Sequence, residues 1–114
     1  MSEPDCVFCK IVAGEIDAEV VHDEDEVLAF NDMNGQAPVH VLVIPKRHVA
    51  NLEEIGELPD AVVKRLFGVA SAVAEKLGVA EGGYAVRVNN GLDAGQEVFH
   101  LHLHVMGGQK LGMP

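Results

Sequence analysis

"VFHLHLHVMGG", residues 98–108, sets His100, His102 and His104 at alternate positions, with Leu101, Leu103 and Val105 between and after them. Successive side chains of a strand point to opposite faces, so the imidazoles share one face and the aliphatic side chains the other. That is the pattern of a half-buried strand whose aliphatic face packs on a core while the histidine face lines a surface or cleft. The chain has six histidines in all. Three on one strand face admit three readings: a solvated polar face, a comb of metal ligands, or a site for phosphate or nucleotide chemistry.

Working outward, "APVHVLVIPKRH" reads as a strand whose Val/Ile-rich run, Val39 to Ile44, is stopped by Pro45. "EVVHD" and "EVLAFND" are short strands with Asp23 to Glu26 as the turn between them, and "YAVRVNN" is a further strand closed by the turn-forming "NNGLDAGQ". "VFCKIVAGEI" carries apolar residues at Val7, Phe8, Ile11 and Val12, a helical spacing that ends at Gly14. Pro59 to Leu77 predicts a long helix, with Asp60 in its first turn and Gly78 just past its end. Its apolar residues cover an arc of roughly 160°, against the ~100° of a single core face, and this points to burial against a second subunit. Five strands, one short helix and one long one give an α+β fold on an antiparallel sheet. The glycine-rich phosphate loops G-x-x-x-x-G-K-[ST] and G-x-G-x-x-G are absent.

No linker, repeat or low-complexity tract divides the 114 residues, so residues 1–114 are expected to form one domain. Apolar runs break well short of the ~20 residues of a membrane span, and the acidic, polar start "MSEPDCVFCK" is wrong for a secretory signal. A cytoplasmic protein is expected. A net charge of −10 with eight Lys plus Arg argues against gripping nucleic acid through its phosphates. The two cysteines form a C-x-x-C, Cys6 and Cys9, which in a cytosolic chain suggests metal or redox chemistry before a structural bridge.

"NNGLDAGQEVFHLHLH" joins a glycine-containing loop directly to the histidine strand. Gly91 and Gly95 can turn backbone N–H groups toward an anion, Asn89 adds a side-chain donor, and the imidazoles beside them can attack phosphorus or donate protons near neutral pH. The combination suits phosphoryl or nucleotidyl transfer without a metal in the chemistry.

These residues resemble the histidine triad (HIT) proteins, whose motif, His-φ-His-φ-His-φ-φ with φ apolar, stands here as His100-Leu101-His102-Leu103-His104-Val105-Met106. "CKIVAGEI", "LAFNDMNGQAPVHVLVIPKRH", "VNNG" and "AGQEVFHLHLHVMGG" extend the likeness over nearly the whole chain, to the Hint-like branch of nucleotide-binding phosphoramidases. The resemblance implies a homodimer with a five-stranded antiparallel sheet in each subunit. It implies that His102 is a nucleophile toward the α-phosphorus of a purine nucleotide, giving a nucleotidyl-histidine that water hydrolyses. The carbonyl of His100, or another backbone oxygen, would hold one nitrogen of the His102 ring. His104 would hydrogen-bond the phosphate, with His40 a fourth histidine of the site.

Asn89, Gly95, Gln96 and the backbone around Val98 match the phosphate cradle, and Asp32 matches the carboxylate that binds the ribose hydroxyls. Phe8, Ile11, Ile16, Phe30, Asn31, Met33 and Leu42 match the purine pocket. Glu97 stands where many relatives carry Ser or Thr and others carry Glu, a place from which a carboxyl can assist the leaving group. Structural zinc takes four Cys or His ligands, and the resemblance supplies His48 and His100 beside Cys6 and Cys9. The expected activity is that of a nucleoside 5′-monophosphoramidase acting on AMP- or GMP-type phosphoramidates. The alternatives are a dinucleoside polyphosphate hydrolase and a zinc-stabilised, non-catalytic nucleotide-binding module. Neither nucleic acid nor membrane is an expected partner. His22 reads as a surface histidine at a strand edge.

Overall fold

A computed structural model describes residues 3–112. Five strands form one antiparallel sheet: β1 (Val20–Asp23), β2 (Val27–Asn31), β3 (Val39–Pro45), β4 (Tyr84–Arg87) and β5 (Leu103–Gly107). Their spatial order is β1-β2-β3-β5-β4. β1 to β3 run as a meander, the chain then crosses one face of the sheet as the long helix α2 (Asp60–Lys76), and β5 enters between β3 and β4. The short helix α1 (Val7–Val12) lies on the opposite face, and a 3₁₀ turn at Leu52–Glu57, unforeseen from the sequence, leads into α2.

Alternation within the strands sorts the side chains into two cores. Val27, Ala29, Val41, Val43, Leu103 and Val105 face α2 and pack with Leu66, Val69 and Val73. Leu28, Phe30, Leu42 and Ile44 face the other way and pack under Phe8 of α1. Register aligns Phe30 with Leu42, and Leu42 with His104. The histidine of β5 therefore continues the row of apolar side chains beneath α1.

Both helices end as their sequences require. Gly14 and Gly78 each have φ of +79°, the left-handed conformation in which a side chain is strained, and the N–H groups just beyond turn back to the last helical carbonyls, Glu15 to Lys10 at 2.8 Å and Val79 to Ala74 at 2.9 Å.

Four expectations need correcting. The histidine strand begins at Leu103, so only His104 of the three lies in the hydrogen-bonded ladder; the segment before it is attached by the Leu101 N–H, which donates to the Val49 carbonyl at 2.8 Å. The alternation still holds through that segment, with Leu101 buried on the α2 side. "YAVRVNN" is a strand only as far as Arg87, and the β3 strand includes Pro45, paired with Val27 at the end of the ladder. The wide apolar arc of α2 divides: Val62, Leu66, Val69, Ala70, Val73 and Ala74 are buried on the sheet, whereas Phe67 stays 55% exposed. No described helix is long and apolar enough to cross a membrane.

Candidate active site

The row beneath α1 opens into a cavity of about 310 Å³ lined by Phe8, Ile11, Ile16, Phe30 and Leu42 at its apolar side and by Asn31, Asp32, Asn89, Glu97, His102 and His104 at its polar side. Met33, Gly95 and Val98, also foreseen from the sequence, line it too, whereas the foreseen His40, His100 and Gln96 do not; Val7, Asp17, Ala18 and Asn34 line it and were missed. All four missed residues neighbour ones that were named, in α1 and in the loops that flank β1 and β2, so proximity along the chain was the available signal.

Hydrogen bonds settle which nitrogen of each imidazole carries its proton, because a neutral ring has one donor and one acceptor. His102 Nδ1 lies 2.7 Å from the His100 carbonyl oxygen, which can only accept. The proton is on Nδ1, and Nε2 keeps its lone pair. His40 Nδ1 accepts the Gln36 N–H at 2.9 Å, so His40 donates from Nε2 to His104 Nδ1, also at 2.9 Å, with Asp32 Oδ2 further off at 3.5 Å. His104 must then bear its proton on Nε2, and that atom is buried with no partner among the described residues. The result is an adjacent pair, ring centroids 4.9 Å apart, in which His102 offers a lone pair and His104 an unspent donor.

Burial holds these rings neutral. It pulls His104 down to about 4, helped by the neighbouring His102 and His40. Burial likewise lowers His102 and His40, opposed at His102 by its bond to the His100 carbonyl and at both by the Asp32 charge. Asp32 is fixed by the Asn34 N–H, which donates to Oδ1 at 2.8 Å.

His100 departs from its neighbours. It is completely buried and lines no part of the cavity. Its Nε2–H donates to the Pro45 carbonyl at 2.7 Å, which leaves the Nδ1 lone pair facing Cys6 Sγ at 3.4 Å and Cys9 Sγ at 3.5 Å. His48 Nδ1 lies 3.4 Å from Cys9 Sγ. Cys6, Cys9, His48 and His100 thus bring four donor atoms within 4.8 Å of one another. Each sulfur also accepts a backbone N–H, Cys6 from Cys9 and Cys9 from Glu3. Two soft thiols, two imidazoles and backbone donors to the sulfurs suit a tetrahedral zinc. Without a cation, burial pushes the Cys9 thiol up, with Cys6 adding to the effect.

Two placements revise the anticipated phosphate cradle. Gln96 is 3% exposed, and its amide is spent inside the loop: Oε1 accepts the Gly91 N–H at 2.8 Å, and Nε2 donates to the carbonyls of Ala50 and Val98. It shapes the loop and does not reach the cavity. The Gly91 N–H is thereby consumed, as is that of Gly95, which donates to the Leu92 carbonyl at 3.0 Å. The N–H groups of Glu97 and Val98 make no hydrogen bond among the described residues, so these free backbone donors lie two and three residues beyond Gly95. His22 stands apart, bonded through Nε2 to Glu24 at 2.7 Å.

Fold and site together define an antiparallel α+β protein in which a buried His102 and a half-buried His104 line the polar side of an apolar cavity. The chain belongs to the HIT family: the HIT domain matches residues 13–111. It is 45% identical to an uncharacterized HIT-like protein of Synechococcus elongatus over 114 residues, covering 100% of this chain and 98% of that one. It is 38% identical to the purine nucleoside phosphoramidase of Escherichia coli over 106 residues, 93% of this chain and 89% of that one. Among solved structures, a HIT family hydrolase from Clostridium thermocellum superposes with a TM-score of 0.94 at 44% identity, covering 99% of this chain and 98% of that one.

Proposed function

We propose that the protein is a purine nucleotide-binding hydrolase that cleaves nucleoside 5′-phosphoramidates through a nucleotidyl-histidine intermediate. The observation that carries this reading is the proton arrangement of the pair: His102 with Nε2 unprotonated, His104 with an unpartnered Nε2–H beside it. A lone pair can attack phosphorus only from a neutral ring, and a free donor is useful where a phosphoryl oxygen gathers charge. His102 Nε2 forms a bond to the α-phosphorus as the bond to the amine nitrogen breaks, and the departing amine takes its proton from solvent water. Water then attacks the same phosphorus, the histidine–phosphorus bond breaks, and the nucleoside monophosphate leaves with His102 neutral again.

The remaining groups fit the substrate in order. The apolar side of the cavity takes a purine, the Asp32 carboxylate takes the ribose diol, and Asn89 with the Glu97 and Val98 N–H groups meets the phosphate. Glu97 lines the same cavity as His102 and His104, and its carboxyl is the group assigned to the leaving group. The relative from Escherichia coli, named a purine nucleoside phosphoramidase, supports the choice of leaving group. Zinc at Cys6, Cys9, His48 and His100 has a structural role, and the reading places the protein in the cytoplasm, where thiols stay reduced. The functional unit is a homodimer that covers Phe67 and the edge strand β4.

The test is AMP release from adenosine 5′-phosphoramidate, run beside a diadenosine polyphosphate, with the native protein and His102→Ala. Release from the phosphoramidate should fall by about 10³-fold or more in the variant. Release from the dinucleotide alone would reassign the protein to polyphosphate hydrolysis, and release from neither would leave a binding module.

A further inference from the structure

Helix α1 is six residues long, far below the ~12–15 at which an isolated helix becomes even marginal in water. Only two of its side chains are buried, Phe8 and Cys9. Cys9 turns to His48 and His100 in the four-donor cluster. Phe8 stands edge-on to His102 with ring centroids 5.2 Å apart, and lies 5.3 Å from Phe30 and 5.9 Å from His100. With Val7 and Ile11 of the same helix it forms a wall of the cavity. Of the two buried side chains of the helix, one thus faces the metal donors and the other shapes the nucleotide site, with Ile11 and Val12 packed partly buried beside it. His100 joins the two places again: its ring faces both thiols, and its carbonyl holds the His102 Nδ1–H.

We propose that Phe8 is a positioning residue for both the base and the nucleophile, and that metal at the Cys6–Cys9 site sets its position, so metal and nucleotide bind with positive coupling. The inference rests on the nucleotide reading above. A cation that draws the four donors together fixes the chain on either side of Phe8, at Cys6 and Cys9. Without it the thiols contribute only sulfur contacts of 3.3–3.5 Å, and the helix is secured by Phe8 with the partly buried Ile11 and Val12 beside it. A loosened α1 opens the cavity wall and withdraws the ring that packs against His102. Coupling of this kind is reciprocal: whatever factor the metal adds to nucleotide affinity, the nucleotide adds to metal affinity.

Calorimetric titration of AMP into zinc-loaded and chelator-stripped protein, paired with zinc affinity by competition against a chromophoric chelator with and without AMP, measures both sides of the cycle. Zinc should tighten AMP at least about five-fold, and AMP should tighten zinc by the same factor. In Phe8→Ala the zinc should still bind while the coupling shrinks below about two-fold, and Phe8→Tyr should restore it. The chelator competition begins from loaded protein, so it reports the coupling even if the stripped chain fails to fold. Equal AMP affinity with and without zinc overturns the coupling and leaves the nucleotide reading intact. Full coupling in Phe8→Ala overturns the role of Phe8. No AMP binding in either state overturns the nucleotide reading, and this proposal with it.

Discussion

A neutral imidazole is a switch with its two ends tied, and three backbone groups set the switches here: the carbonyls of His100 and Pro45 and the N–H of Gln36, which acts on His104 through the His40 ring. Neutrality therefore matters as much as position. His102 and His104 titrate below the ordinary 6.5 because burial disfavours the charged ring. For activity the sign is simple: protonated His102 has no lone pair, so kcat/KM should be level from about pH 6.5 to 8 and fall only at lower pH. A pH–rate profile with its acid limb centred at or above 6.5 would contradict the burial argument. Stability follows the same direction, since the unfolded chain takes up protons near 6.5 that folded His104 refuses until about 4. The denaturation midpoint should hold steady above 6.5 and drop as pH falls toward 4.

Much of this was legible in the sequence, because a period of two puts residues 100, 102 and 104 on one face whatever the rest of the chain does. What the spacing could not convey was that His100 is buried beside the thiols and that Gln96 and the glycine N–H groups are consumed within their own loop. The placements of His100 and Gln96 depend on contacts with Pro45 and Ala50, more than forty residues away in sequence.

Among the elements, strand identity survived better than strand length. The Val/Ile-rich run of β3 and the glycine-stopped helices were readable from local chemistry, whereas the late start of β5 depends on the Val49 carbonyl taking the Leu101 N–H outside the ladder. The seam where β5 meets the turn after α2 is tight: a Cβ on Gly107 would sit 2.9 Å from Val79 Cβ and 3.2 Å from both of its methyls. Val79 is itself buried and has no free end to swing away. Gly107→Ala should therefore destabilise by about 1–3 kcal/mol, the usual effect of overpacking, visible as a lower Tm in a thermal melt. At the other end of the sheet, α1 and the segment after β3 meet at the four-donor cluster. Protein purified without chelator should carry about one zinc per chain, as metal analysis would reveal, and Cys9→Ser should lose it and melt earlier.

On the scale of the whole molecule, several large apolar side chains are exposed among the described residues, and one of them is the aromatic ring on α2. Phe67 projects from α2, and β4 forms an edge of the sheet with Val86 40% exposed. An uncovered aromatic and an unpaired sheet edge are the kinds of surface that a second copy buries. Light scattering at micromolar concentration should give a dimer, and Phe67→Glu should give a monomer with the fold retained in circular dichroism. The breadth of the apolar arc on α2 signalled such a surface in the sequence, although periodicity alone could not say which residue would remain outside the core. The order of the strands has a different kind of consequence. Because β5 inserts between β3 and β4, a chain emerging from the ribosome can close its first hairpins and lay down α2, yet β4 has no neighbour to join until the histidine segment follows it out. The sheet is finished and the chemistry installed in one late event, so a nascent chain arrested before residue 98 would hold neither His102 nor His104, and its fourth strand would be left waiting for the fifth.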